Sequence, residues 1–443
     1  MKELKPFSIR IVRALTDGAV LSEAVLDGGT IPVVSKSGGF GRPEWLTGLL
    51  DSITGKAASG RPQEAAPGCR DRIQQRGDPM RPIIGITMGD PVGTGPELSV
   101  KALLDRHVYE ICRPLIVGDA CCMEVALRQV QGAEALKIHP VERVQDALFE
   151  YGTIDVYDMK LVDIGKRVFA KDRAALREER GPEADGLIAE GARMCGNAAF
   201  RYVKKVIELA MAGEVDATVT NALNKGRMNA AGHHFDGHTE IYARFTGTKR
   251  YAMMLAHGDF RVIHVSTHVS LREACDRVKK ARVLEVIRLA DEECRRIGIE
   301  KPRIAVAGLN PHCGEGGLFG REEIEEIQPA IDEALAESIC IPEKAPTPPD
   351  TVFSKLAGGW YDMAVVMYHD QGHIPTKLKG FVYDREKQKW EAVSGINVTV
   401  GLPIVRVSVD HGTGEDIAGL GIAEPDSLLN SIEYATISSL RRS

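Results

Sequence analysis

Residues 82–105 read PIIGITMGDPVGTGPELSVKALLD. Ile83–Thr87 is a short apolar run of strand-forming residues. A Gly-rich turn follows, and Pro96 suits the first turn of a helix whose apolar residues recur at helical spacing. Strand, tight turn and helix in immediate succession mark the start of an α/β unit. The pattern continues along the chain. Strand-like runs are expected at 114–118, 216–220, 251–256, 260–267, 302–309, 363–368 and 397–402, with helical stretches at 186–213, 271–298 and 321–338 between them. This alternation predicts an α/β fold with a largely parallel sheet. The turn GDPVGTGPE does not have the GxGxxG spacing of a dinucleotide fingerprint. It reads as a tight structural turn or as an anion site at a helix N-terminus.

The bulk properties exclude several classes. The 443 residues carry a formal net charge of −6, which argues against a general nucleic-acid binder. No apolar run approaches the ~20 residues of a membrane span, and no secretory signal pattern opens the sequence. The nine cysteines include no CxxC pair, as expected for reduced thiols in a cytoplasmic protein. Residues 55–80 are polar, rich in Gly, Pro, Arg and Gln, and without apolar periodicity, so they read as a disordered linker. Residues 1–54 hold a strand, a Gly loop at 38–41 and an apparent helix, too little for an independently stable domain. The remainder, 81–443, is the main unit.

Three histidines follow apolar strand-like runs: His268 in VIHVSTHVSLR, His312 in IAVAGLNPHCGEGG and His369 in MAVVMYHDQGHIPTK. Ligands of open α/β folds gather outside the carboxyl ends of strands, so three imidazoles there can converge on one divalent metal. Each histidine taken alone reads more readily as structural than as a ligand; it is their shared placement after strands that favours the metal. The loop 220–240, TNALNKGRMNAAGHHFDGHTE, offers Lys225, His238, Thr239 and Glu240 as donors and acceptors for an anion. Asp370 is placed to orient an imidazole or contact substrate. Lys377, Asn397 and Arg406 are candidate anion-binding groups. Arg406 lies in the apolar run LPIVRVSV, where a charge without a partner is costly, so an anionic partner or ligand is expected.

Taken together, GDPVGTGPE, NKGRMNAAGHHFDGHTE, THVSLR, GLNPHCGEGG, MYHDQG and GLPIVRVSVDHGT resemble the 4-hydroxythreonine-4-phosphate dehydrogenases of pyridoxal phosphate biosynthesis, from about residue 82 onward. The resemblance implies a fold like that of isocitrate and isopropylmalate dehydrogenases, with two α/β domains around a cleft. The first would span about 81–220 plus the C-terminal segment, and the second about 221–395. It implies NAD as oxidant and one divalent metal (Zn, Co, Mn or Mg) per active site. It also implies a homodimer in which His268, His312 and His369 bind the metal and one of them crosses the interface. His238, Thr239, Lys377, Asn397 and Arg406 become substrate contacts, and Lys377, Asp370 and Asp350 become candidate proton-transfer groups.

The chain departs from the biosynthetic pattern at Asn224-Lys225, at His373-Ile-Pro-Thr-Lys and in the extra stretch 382–393. These features are more similar to a branch acting on D-threonate or D-erythronate 4-phosphate. For such substrates, hydride transfer from C3 to NAD gives a β-keto acid that loses CO2 and leaves dihydroxyacetone phosphate. The alternatives are 4-hydroxythreonine 4-phosphate as substrate and a non-catalytic phosphosugar-binding protein. LDGGTIPVVSKSGGFGRPEWL, near the start of the chain, resembles the C-terminal tail of four-carbon acid sugar kinases, without a kinase body.

Overall fold

The strand–turn–helix at residues 83–104 forms as the sequence predicts, and it lies inside one large sheet. The computed structural model describes residues 10–16, 19–26, 29–33, 81–164, 181–385 and 389–441. Two compact units are separated at residue 66. In the first, β1 (Arg10–Thr16), β2 (Ala19–Leu26) and β3 (Gly29–Val33) form an antiparallel meander. The expected Gly loop at 38–41, the helix after it and the linker at 55–80 lie outside the described residues.

The strands of the second unit are β4 (Ile83–Thr87), β5 (Arg113–Gly118), β6 (Lys137–Val141), β7 (Thr153–Asp158), β8 (Ala217–Thr220), β9 (Ala252–His257), β10 (Phe260–His264), β11 (Ile304–Val306), β12 (Met363–Val366), β13 (Phe381–Asp384), β14 (Lys389–Val393), β15 (Ile396–Val400) and β16 (Val405–Val409). Eleven of them make one sheet in the order β11-β12-β10-β9-β15-β16-β8-β4-β5-β7-β6. One half is built from residues 83–220 plus 405–409, the other from 252–400. The first half is parallel throughout, and in the second the pairs β11–β12 and β12–β10 are parallel. Three antiparallel pairings, β10–β9 and β9–β15 within the second half and β15–β16 between the halves, were not anticipated by the largely parallel expectation. The extra stretch 382–393 belongs to a separate hairpin of β13 and β14.

Among the described residues twelve α-helices flank these strands: α1 (Gly95–Leu104), α2 (Arg106–Ile111), α3 (Ala120–Leu127), α4 (Pro182–Met211), α5 (Lys225–Ala230), α6 (His238–Thr246), α7 (Leu271–Asp276), α8 (Lys280–Arg296), α9 (Gln328–Ala336), α10 (Val352–Ala357), α11 (His369–Gly380) and α12 (Asp426–Leu440). The central strands carry β-branched and small apolar residues on both faces, as a sheet covered on both sides requires. The helix expected over 271–298 is two. Lys279 is extended, and the remote Glu326 caps α8 by accepting from Lys280 N at 2.7 Å. No helix among the described residues is long and apolar enough to cross a membrane.

The Gly-rich turn is structural. A Cβ at Gly95 would lie 2.2 Å from Met88 O, so the turn closes tightly on the end of β4. The buried Glu97 carboxylate accepts from Gly419 N (2.9 Å), Gly421 N (3.2 Å) and Ala423 N (3.0 Å), pinning the C-terminal loop to α1. The α4–α5 contact is equally close. A Cβ at Gly196 would stand 2.0 Å from Arg227 O and 2.2 Å from its carbonyl carbon. Backbone cannot move aside as a flexible side chain can, so Gly196→Ala is expected to cost about 3 kcal/mol of stability. Chemical denaturation checks this; an unchanged midpoint contradicts the packing described.

Candidate active site

A cleft of about 340 Å³ opens at the centre of the sheet, beside its antiparallel strands and the carboxyl ends of β8, β10, β12 and β16. Its floor is Met253 of β9, Asn397 of β15 and Arg406 and Ser408 of β16. Asn397 and Ser408 are cross-strand partners, so their side chains share a face. The walls come from the start of α6, from α11, and from the loops after β10 and β16. His238, Thr239, Lys377, Asn397 and Arg406, expected as substrate contacts, all line this cleft, as does His268.

One end of the cleft is built for an anion. Arg406 is 2% exposed, and its guanidinium donates to Thr399 Oγ1 (3.0 Å), Thr220 Oγ1 (3.1 Å) and Asn397 Oδ1 (3.4 Å). These acceptors are neutral. Among the described residues no carboxylate lies within 4.0 Å of it, and its Nε has no partner. Burial lowers its affinity for the proton, to a pKa of about 10, against partial compensation from Tyr242 and Glu240. His238 stands at the N-terminus of α6, where unpaired backbone N–H groups favour negative charge. Its Nε2 is enclosed without a partner. Burial first, then Arg406 and Lys225, push its pKa well below the usual histidine range, so the ring is neutral at pH 7.

Imidazoles gather beside it: His268 and His373 line the cleft, and His369, which does not, packs against both. The His268 and His369 rings are 5.8 Å apart between centroids. Two imidazoles sharing a tetrahedral ion, with metal–nitrogen distances of ~2.0–2.1 Å, have centroids roughly 5–6 Å apart. His369 Nδ1 meets Asp370 Oδ1 at 2.7 Å, and His268 Nδ1 faces Glu240 Oε1 at 3.8 Å. Carboxylates on the Nδ1 side leave Nε2 as the metal-facing nitrogen of both rings. Burial alone would raise the Glu240 pKa, but the hydrogen bond and charge of His268, its own backbone N–H and Lys225 hold it below the usual carboxylate range. These residues fit a divalent cation, and they cast Asp370 as the orienter of His369.

His312 is elsewhere in the chain's own surface. It sits beside Asp350, with Nδ1 and Oδ2 3.9 Å apart, both exposed. Among the described residues of one chain, no group of three His, Cys, Asp or Glu is arranged to hold a metal. The turn Pro311–Gly317 is left-handed, with φ of 50° at His312, 58° at Cys313 and 45° at Glu315. Such backbone costs about 1–2 kcal/mol per non-glycine residue. The start of the loop is held by Glu323, which accepts from Leu309 N and Asn310 N, each at 2.7 Å. A buried carboxylate thus holds a strained turn around an exposed histidine.

Other positions differ from the sequence reading. His238 and His369 open helices instead of loops. Asn224 caps α5 by accepting from Arg227 N at 2.9 Å and donates to Glu415 Oε1 at 2.6 Å, so it braces the cleft without lining it. Arg227 completes that brace through Asp90 (2.7 Å) and Glu415 (3.0 Å). Sequence reasoning missed Asp410, which pairs with Lys377 Nζ at 2.7 Å inside the cleft. The available signal was the Asp-His-Gly that follows Val409.

Residues 110–435 match the family described as pyridoxal phosphate biosynthetic protein PdxA. The chain belongs to this family. The D-threonate 4-phosphate dehydrogenase of Pectobacterium atrosepticum is 43% identical over 358 residues, covering 80% of this chain and 99% of that protein. The 4-hydroxythreonine-4-phosphate dehydrogenase of Desulforapulum autotrophicum is 40% identical over 358 residues, covering 81% and 95%. A crystal structure of 4-hydroxythreonine-4-phosphate dehydrogenase from Klebsiella pneumoniae superposes with a TM-score of 0.65 at 38% identity, covering 81% of this chain and 99% of that one. The first relative is thus matched almost end to end by four-fifths of this chain, and the remaining fifth has no counterpart in it. Deleting residues 1–80 is therefore expected to leave a folded protein with unchanged kinetics. Loss of cooperative unfolding in the truncated protein would show that the extension is integral.

Proposed function

We propose that this PdxA-family chain is an NAD- and metal-dependent dehydrogenase that oxidises D-threonate or D-erythronate 4-phosphate at C3 and releases CO2, leaving dihydroxyacetone phosphate. Arg406 is the observation that carries this reading. A buried guanidinium with only neutral partners is half of an ion pair, and a phosphate ester supplies the other half with matching fork geometry. His238 and Lys225 lie along the same end of the cleft. With the phosphate there, the carbon skeleton would reach toward His268, His373 and Lys377, which line the same cleft.

A divalent cation held by His268 and His369 would supply Lewis acidity toward the substrate's oxygens. NAD would accept the hydride. The chain's own residues do the positioning. Asp370 and Glu240 set the orientation of the two imidazoles. Asp410 holds the Lys377 ammonium against the cleft wall, where it is placed to move a proton to or from the reacting carbons. Asp350 belongs with His312, outside the cleft of its own chain.

A second copy of the chain supplies what one chain lacks. Leu318 and Phe319 are exposed beside the His312 turn, and Leu271, Ile374 and Leu378 are exposed near His268 and His369. Joining two such apolar patches around a two-fold axis carries His312 and Asp350 of each chain to the cleft of the other, in two equivalent sites. The second reading, 4-hydroxythreonine 4-phosphate, has the support of relatives that carry that name. One assay decides: purified protein, NAD, a divalent metal and each of the three phosphates, following NADH. NADH from a threonate or erythronate ester supports the proposal. NADH only from the hydroxythreonine ester moves the assignment to the second reading, and binding without NADH points to a phosphosugar-binding protein.

A further inference from the structure

We propose that His373 reads the substituent on C2 of the substrate, hydrogen-bonding a hydroxyl there and thereby favouring a 2-hydroxy acid over a 2-amino acid. The inference rests on the proposed function, because it concerns the acid end of the same cleft. His373 lies one turn after His369 on α11, and its ring stacks on that of His369 at 3.6 Å with planes 10° apart. Its other neighbour is His264, 4.8 Å away between centroids. His264 is itself fixed, with Nδ1 donating to Met253 O at 3.0 Å. A Cβ at position 372 would lie 2.4 Å from His264 Nε2, so Gly372 lets α11 approach that ring.

The polar atoms of His373 are then accounted for one by one. Nδ1 donates to His369 O at 2.9 Å, since a carbonyl only accepts. Nε2 has no hydrogen-bond partner among the described residues, and the residue lines the cleft. The nearest cation, Lys377, is one turn further along α11 and is already bound to Asp410. A ligand group meeting Nε2 therefore sits between imidazoles and a lysine. Nδ1 carries the ring proton, so Nε2 is an acceptor, and a hydroxyl donates to it without adding charge. An ammonium also donates, but it brings positive charge beside Lys377 and the imidazoles. The phosphate end is fixed by Arg406, and His373 flanks His369, so the group it meets belongs to the acid half of a four-carbon chain.

The test compares wild type, His373→Leu and His373→Gln on D-threonate 4-phosphate and 4-hydroxythreonine 4-phosphate, with NAD and saturating metal. Calorimetry on the metal-free proteins gives metal affinity independently of turnover. His373→Leu is expected to lower kcat/KM for the threonate ester by roughly 30–100-fold, as loss of one matched polar contact does, and to leave the hydroxythreonine ester within about 3-fold. His373→Gln, with a polar tip, recovers part of the loss, and metal affinity stays within about 3-fold of wild type. Equal losses on both esters, or a parallel collapse of metal affinity, would mean that His373 merely supports His369 and would overturn the inference. Wild-type activity with an unchanged substrate ratio in the variants overturns it alone. Wild-type inactivity on both esters overturns it together with the proposed function.

Discussion

Replacing Arg406 with Ala is expected to lower kcat/KM for a phosphorylated substrate by roughly 10³-fold, about 4 kcal/mol, while leaving the stability of the ligand-free protein almost unchanged. The two effects have one cause. In the free protein the guanidinium is buried against three neutral acceptors, and none of them repays the desolvation of a charge. Removing it relieves that cost and loses a few hydrogen bonds, two small terms of opposite sign. In the complex the same group meets a dianion out of water, where a charge-assisted bidentate contact is strongest. Arg406→Lys is expected to recover little, because a point charge lacks the fork and Thr220 and Thr399 are spaced for it. Steady-state kinetics and thermal unfolding with and without substrate measure both halves. A variant with normal KM would remove the phosphate from this end of the cleft.

Replacing His369 with Ala is expected to abolish metal-dependent turnover, a loss of roughly 10³-fold or more, with metal affinity falling in parallel. Near-normal activity without added metal would sink the assignment. His312→Ala is expected to do the same, although His312 is outside the cleft of its own chain. Mixing the two variants separates a shared site from a local one. If each site takes His369 from one chain and His312 from the other, a hybrid dimer has one intact site. Random assortment then restores roughly a quarter of wild-type activity. If both histidines act within one chain, every hybrid site is damaged and mixing restores nothing.

Much of this was legible in the sequence because the informative residues sit where local rules apply. Ile83–Thr87, Ala252–His257 and Met363–Val366 are apolar runs bounded by turns, and each forms a buried strand. β6 escaped notice because it is an edge strand, only partly covered and carrying Pro140, which an edge tolerates. The break between α7 and α8 depends on Glu326, 46 residues from the N–H it caps, and periodicity carries no such information. The antiparallel centre of the sheet was not legible either, since strand direction depends on how the two halves join. For the site, Arg406 announced itself as a charge in an apolar strand. Lys377–Asp410 did not, because the pair joins residues 33 apart through the tertiary fold. The histidines were visible as a set, but their division into a pair and a lone member required coordinates.

The proposed reaction of this chain is the oxidation and decarboxylation of a phosphorylated four-carbon acid. Its most direct test is the stoichiometry of the reaction with D-threonate 4-phosphate, NAD and a divalent metal, following NADH and CO2 together. One CO2 released for each NADH formed, with dihydroxyacetone phosphate as product and no reaction after chelation, is the expected result. Binding of the ester without NADH, or NADH formed without CO2 and unaffected by chelation, would contradict it.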